Sequence, residues 1–170
     1  MGSIPSTSIY EGTFDSPVGF VTVFANQNAV TNIVYEEQSE DLHINHESHQ
    51  QSDLIVECIK QLTEYFAGKR TCFEIPIEIL EHGFDSKVLI ALQKIPCGFT
   101  TTYKEIAQNI NYPKAYRAVG GAIHRNPIPI IIPCHRVIGS NNTLTGYAGG
   151  LWRKQILLGI EKPRTEKYGV

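Results

Sequence analysis

Cys134 and His135 stand side by side in Ile130-Ile131-Ile132-Pro133-Cys134-His135-Arg136-Val137-Ile138. Apolar runs on both sides place this polar triplet inside the protein or at the floor of a pocket. A cysteine attacks as thiolate, and a thiolate needs a base or a positive field. His135 and Arg136 offer one of each. The base in turn needs a third group to orient it, usually a carboxylate. Beyond Arg136 only Glu161 and Glu166 are available. Glu161 ends a predicted helix whose apolar residues Leu151, Ile156, Leu157, Leu158 and Ile160 would dock on the core, so it is the better candidate. Taken alone a Cys-His pair says little, because adjacent residues in a strand face opposite ways and most buried cysteines are inert. Cys58, Cys72 and Cys97 form no CxxC pair with one another or with Cys134 and read as free thiols. Cys58 falls on the apolar face of a helix, Cys72 beside a strand and Cys97 in a turn, all structural positions.

Other elements must carry this segment. Residues 9–14, 20–25 and 29–35 read as strands separated by turn residues, which makes a three-stranded antiparallel meander. Apolar residues at Leu54, Ile55, Cys58, Ile59, Leu62 and Phe66 predict a helix over 53–66, capped by Ser52 or Asp53 and stopped at Gly68. Residues 74–80 read as a strand leading into a linker. His43, His46 and His49 lie in the polar stretch 36–52. Their spacing could bind metal if helical, but with no fixed acidic or Cys partner nearby they read as a solvated linker. From Asp85 the texture becomes helical. Asp85 or Ser86 caps a helix to about Lys94, and Thr101 or Thr102 caps a second through about Asn109. Lys114 to His124 forms a third after the turn Asn111-Tyr112-Pro113. The last two make a helix-turn-helix, which usually places its second helix on DNA. An ordinary helical hairpin has the same pattern. The second helix is rich in small residues, suiting close approach to a narrow groove with Arg117 projecting, or tight packing on a neighbouring helix.

The chain has 170 residues, 42% hydrophobic and 19% charged, enough to bury a core. No apolar run approaches the roughly 20 residues needed to cross a bilayer. The start lacks the basic and apolar regions of a secretion signal. The net charge of −2 hides an asymmetry. Residues 1–84 hold three basic against thirteen acidic residues, a balance of −10, and residues 85–170 hold twelve against four, a balance of +8. That split suggests two domains, the second facing a polyanion. Mutual pairing of the two halves would also account for it.

Pro133-Cys134-His135-Arg136-Val137 resembles the active-site signature of the O6-alkylguanine-DNA alkyltransferases. Pro96-Cys97-Gly98-Phe99-Thr100-Thr101-Thr102-Tyr103 with Ala107, Arg117-Ala118-Val119-Gly120-Gly121-Ala122 with Asn126-Pro127, Gly146-Tyr147-Ala148-Gly149-Gly150 and Leu157-Leu158-Gly159-Ile160-Glu161 extend the likeness. It runs without gaps over about residues 85–161. Before that, only Ser16-Pro17-Val18-Gly19 and the strand pattern look similar. The resemblance implies an α+β fold. A small antiparallel-sheet (RNase H-like) domain with a helix would span residues 1–80. A helical domain with a winged helix-turn-helix would span 85–170.

It also implies a function: irreversible, single-use transfer of an alkyl group from O6-alkylguanine in double-stranded DNA to Cys134, with O4-alkylthymine a further candidate substrate. Minor-groove binding through Ala118, Gly120, Gly121 and Ala122 would precede flipping of the base, since the alkylated oxygen is out of reach inside the stack. Arg117 would fill the gap left behind, and Tyr103 would press on the phosphate. The relay would run Glu161, His135, a water and Cys134, with Asn126 bracing the cysteine hairpin. Pro129, Val137, Tyr147, Ala148 and Gly149 would line the substrate pocket. The Cys134 and Val137 carbonyls would accept from the guanine amine. Ala148 stands where some relatives have Ser, leaving only its backbone N–H as donor. No cofactor or metal is expected, the zinc ligands of vertebrate members having no match here, and no membrane contact. The expectation is a monomer in the cytoplasm of a prokaryote, associated with the nucleoid. Three other readings compete: a Cys-His hydrolase, a regulator that binds lesions without repairing them, and a redox sensor using Cys134 or Cys97. The ordered set of motifs favours the alkyltransferase.

Overall fold

The computed structural model describes residues 10–36 and 52–162; the three linker histidines and Glu166 lie outside them. Strands β1 (Tyr10–Phe14), β2 (Val21–Ala25) and β3 (Val30–Tyr35) form the expected antiparallel meander in the order β1-β2-β3. Every residue of β2 is buried, as its central place in the sheet requires. Helix α1 (Asp53–Phe66) packs on β1 and β2. Ser52 caps it by accepting from the Ile55 N–H at 3.3 Å, and Gly68 at φ 68° ends it. Gly12 lets sheet and helix meet, since a Cβ there would lie 2.5 Å from the Ile55 side chain.

The segment 74–80 does not form the predicted strand. It makes a single parallel bridge between Ile77 and Val30, with Val30 donating to the Pro76 carbonyl and Glu78 donating to Val30. Pro76 has no N–H to extend a ladder.

The second half is built of helices α2 (Phe84–Gln93), α3 (Tyr103–Asn109), α4 (Tyr116–His124) and α5 (Leu151–Ile160). Helix α2 starts at Phe84 after Gly83 at φ 68° and has no side-chain cap. Asp85, the expected cap, is turned to Arg125 past the end of α4 and accepts two hydrogen bonds at 2.8 and 3.0 Å. Helix α3 has a full capping box between Thr102 and Glu105. Helix α4 begins at Tyr116, two residues later than the sequence pattern indicates, after a turn in which Ala115 donates to the Tyr112 carbonyl. Two short parallel strands, β4 (Thr101–Thr102) and β5 (Val137–Ile138), tie the start of the helix-turn-helix to the segment just after the cysteine. No helix among the described residues is long and apolar enough to cross a membrane.

Candidate active site

The cysteine segment is wound tightly. Ile130 sits at φ 76°, a costly conformation for a β-branched residue. Asn126 braces this strained hairpin: its amide donates to the Ile132 carbonyl at 2.9 Å while its side-chain oxygen accepts from the Ile128 N–H at 3.1 Å. Residues Cys134–Arg136 form one turn of 3-10 helix rather than a strand. With three residues per turn, side chains fan out about 120° apart instead of alternating between two faces. That geometry lets His135 and Arg136 reach the same carboxylate.

That carboxylate is Glu161, the residue that caps α5. Glu161 is buried, and its Oε1 lies 2.7 Å from His135 Nε2. Arg136 donates to both Glu161 oxygens, from Nη2 at 2.8 Å and Nε at 2.9 Å. Tyr65 of α1 adds its hydroxyl to Oε1 at 2.7 Å. Burial works against the Glu161 charge, but hydrogen bonds from His135 and Arg136 more than offset it and hold the group well below the usual carboxylate range. An ionised carboxylate only accepts, so His135 Nε2 carries the hydrogen and Nδ1 keeps its lone pair. Nδ1 is buried with no hydrogen-bond partner among the described residues. Burial also pushes the His135 pKa down, against the pull of Glu161, which keeps the imidazole neutral and able to take a proton.

Cys134 is 5% exposed. Burial raises its pKa, while hydrogen-bonding interactions with the side chains of Asn126 and Tyr147 and the charge of Lys154 favour the thiolate. Arg136 is committed to Glu161 and to the Ile95 carbonyl, so the cation that acts on the sulfur is Lys154 and not, as the sequence order suggests, Arg136. Lys154 is fully buried and donates to the Val137 carbonyl at 2.6 Å and the Thr145 carbonyl at 2.8 Å. It thereby joins the strand after the cysteine to the loop before Tyr147. Helical spacing carried a signal for it, because Lys154 lies three residues before buried Leu157 and seven before Glu161. On that same helix Leu151 is exposed and does not dock. The Val137 carbonyl, expected to face the guanine amine, therefore already accepts one hydrogen bond.

The two halves of the chain meet at Tyr147. The Tyr147 and Tyr35 hydroxyls are 2.7 Å apart. Gly149 lies between their rings: a Cβ there would be 2.7 Å from Tyr35 and 2.9 Å from Tyr147. Gly149→Ala is accordingly expected to cost about 1–3 kcal/mol of stability through overpacking. Urea unfolding checks this, and an unchanged midpoint would mean the rings can part freely. Pro129 is half-buried in the strained hairpin and Ala148 is exposed.

On the helix-turn-helix, Arg117 and Ala118 are exposed at the start of α4. Arg117 lies 5.9 Å from the Tyr116 ring centre. Tyr103 reaches across to the Thr145 and Gly146 carbonyls at 3.3 and 3.4 Å. Gly120 faces the Tyr103 ring and Gly121 faces the Arg125 guanidinium. Ala122 does not belong to the outer face: it is 1% exposed and packs in the core, as its fourth-residue spacing from Ala118 did not require but its neighbours Val119 and Ile123 suggest. Among the described residues no cluster of His, Cys, Asp or Glu could hold a metal ion.

Two family models cover nearly the whole chain. Residues 9–79 match the 6-O-methylguanine DNA methyltransferase ribonuclease-like domain, and residues 83–163 match the DNA binding domain of the same family. A methylated-DNA--protein-cysteine methyltransferase of Methanosarcina mazei is 40% identical over 154 residues, 91% of this chain and 98% of that protein. One from Mycobacterium tuberculosis is 42% identical over 156 residues, 92% and 94% respectively. The crystal structure of Mycobacterium tuberculosis OGT in complex with DNA superposes with a TM-score of 0.80 at 41% identity, covering 91% of this chain and 93% of that one. With matching models over both halves and relatives of this identity over nearly their full lengths, the chain belongs to the O6-alkylguanine-DNA alkyltransferase family, the 6-O-methylguanine DNA methyltransferases.

Proposed function

We propose that this chain repairs DNA by moving the alkyl group of O6-alkylguanine in duplex DNA onto Cys134, once per protein molecule. The observation that carries this reading is a buried cysteine beside a neutral imidazole whose far nitrogen is fixed on an ionised carboxylate. His135 Nδ1, through a water, takes the thiol proton of Cys134. The sulfur electron pair then forms a bond to the alkyl carbon as the carbon–oxygen bond breaks, and that bonding pair leaves with the guanine oxygen. The Tyr147 hydroxyl and the Ala148 N–H meet the charge developing on that oxygen, where a preorganised donor has most effect. The product is a thioether, and no step returns the thiol.

Arg117 takes the place of the flipped base and Tyr103 bears on the adjacent phosphate. Ala118, Gly120 and Gly121 give a surface low enough for the backbone of α4 to approach the groove. The basic balance of residues 85–170 suits a phosphate backbone, so binding weakens with salt. A substrate of this kind places the protein in the cytoplasm with the nucleoid, and the division between residues 80 and 85 serves as the domain boundary. Stoichiometry tests the reading. Incubation with excess methylated duplex should remove one lesion per chain and then stop. Continued turnover, or hydrolysis of a chromogenic ester, would favour a hydrolase.

A further inference from the structure

Tyr147 is given a part in the chemistry above, but its own position depends on another residue. Its hydroxyl lies 2.7 Å from that of Tyr35, the last residue of β3, 112 positions earlier in the chain. Tyr35 is held in turn. The Arg153 guanidinium sits 4.8 Å from its ring centre, and Arg153 donates to the carbonyls of Val18 and Gly149 at 2.8 Å each. At Gly149 a Cβ would lie 2.7 Å from the Tyr35 ring and 2.9 Å from the Tyr147 ring, so no side chain fits there. The N-terminal sheet and Arg153 thus hold Tyr35 against Tyr147.

A phenol carries a single hydrogen. Burial pushes the pKa values of both tyrosines up, so both hydroxyls keep theirs at neutral pH. If Tyr147 gives its hydrogen to the sulfur or to the guanine oxygen, the hydrogen in the 2.7 Å contact must come from Tyr35. A hydroxyl that accepts a hydrogen bond is also a stronger donor, because the chain polarises cooperatively. We propose that Tyr35 is a positioning residue for alkyl transfer: it donates to Tyr147 and so aims the Tyr147 hydrogen at the reacting atoms. The inference rests on the reading of Cys134 as alkyl acceptor with Tyr147 at its rim. It gives the N-terminal domain a part in the chemistry.

The test is a double-mutant cycle in single-turnover methyl transfer from duplex containing O6-methylguanine. Wild type, Tyr35→Phe, Tyr147→Phe and the double variant are compared; phenylalanine keeps the rings that pack on Arg153 and Gly149. Tyr35→Phe is expected to lower the maximal rate about five- to tenfold, the factor that one hydrogen bond's net free energy produces. The DNA concentration for half-saturation should not change. In the Tyr147→Phe background, where the thiol, His135 and Glu161 still support slow transfer, Tyr35→Phe should have no further effect. An unaltered rate in Tyr35→Phe overturns the proposal. So does an equal loss in both backgrounds, which would mean general loosening of the pocket. Failure of the wild-type chain to transfer overturns the functional reading itself, and this inference with it.

Discussion

Glu161→Gln should slow alkyl transfer about 100-fold or more, in the range expected when a general base loses its support. The same substitution should cost about 3–5 kcal/mol of stability, as breaking a buried charge pair does. Both effects follow from where Glu161 sits. One oxygen accepts from His135, Arg136 and Tyr65, and the other from Arg136 and, at 3.5 Å, from the Gly98 N–H. An amide in its place turns an NH2 group toward one of those donors and leaves the Arg136 charge buried without a counter-ion. His135 also loses the charged acceptor that holds its hydrogen on Nε2, so the tautomer with a free lone pair on Nδ1 is less favoured. Rates are to be compared at a temperature where near-UV circular dichroism shows both proteins folded. Binding to unmodified duplex should be retained, because the proposed DNA face lies on α3 and α4.

Acid should act on the same group. The folded pKa values of Glu161 and His135 are both depressed, so the unfolded state binds protons that the native state refuses. Their contribution to stability is fully present above the unfolded pKa values, about 6.5 for His and 4.3 for Glu, and is lost as pH falls below them. Urea midpoints that decline from neutral pH downward in wild type, and less so in Glu161→Gln, would show this linkage. An unchanged transfer rate in the variant across neutral pH would mean that the carboxylate does not orient the base.

Arg117→Ala should separate the two halves of the reaction. Unstacking and unpairing a base costs a few kcal/mol, and a side chain that occupies the gap offsets part of it. Removing that side chain is expected to slow methyl transfer from duplex about 100-fold, equivalent to about 2.7 kcal/mol. O6-benzylguanine as a free base needs no flipping, so its rate should stay within about twofold of wild type, with ground-state chemistry untouched. Arg117 is exposed, and stability should shift by no more than about 0.5 kcal/mol. Equal loss on both substrates would remove Arg117 from the flipping step.

The parts of this site that the residues themselves made visible are those close together or repeated in pattern. Cys134 and His135 are adjacent, and Glu161 ends a helix of readable periodicity, whereas Asn126 came only with the family resemblance. The Thr102 and Ser52 caps were legible because a hydroxyl before an apolar-periodic run has one obvious use. Asp85 shows the limit of cap reading: its carboxylate is drawn to Arg125, forty positions away, and α2 begins without it. Tyr65 and Tyr35 escaped notice for a related reason. Each is an aromatic in an ordinary apolar pattern, and the partners that reveal its role are 96 and 112 residues distant. Helical spacing puts Lys154 on the buried face, but a lysine there reads as solvated, whereas here two backbone carbonyls satisfy it inside the protein. The turn at Cys134–Arg136 is not legible because its apolar flanks suggest extended chain, whereas the segment winds into one turn of 3-10 helix after Pro133.

The central claim is that Cys134 becomes the permanent holder of the alkyl group, and intact mass tests it most directly. Protein incubated with duplex DNA containing O6-methylguanine is compared with a Cys134→Ala control treated alike. One added methylene per chain, about 14 Da, located on the peptide containing Cys134 and absent from the control, is the result expected for a nucleophile that forms a covalent adduct and cannot release it. No mass gain, or an equal gain in the Cys134→Ala protein, would contradict it.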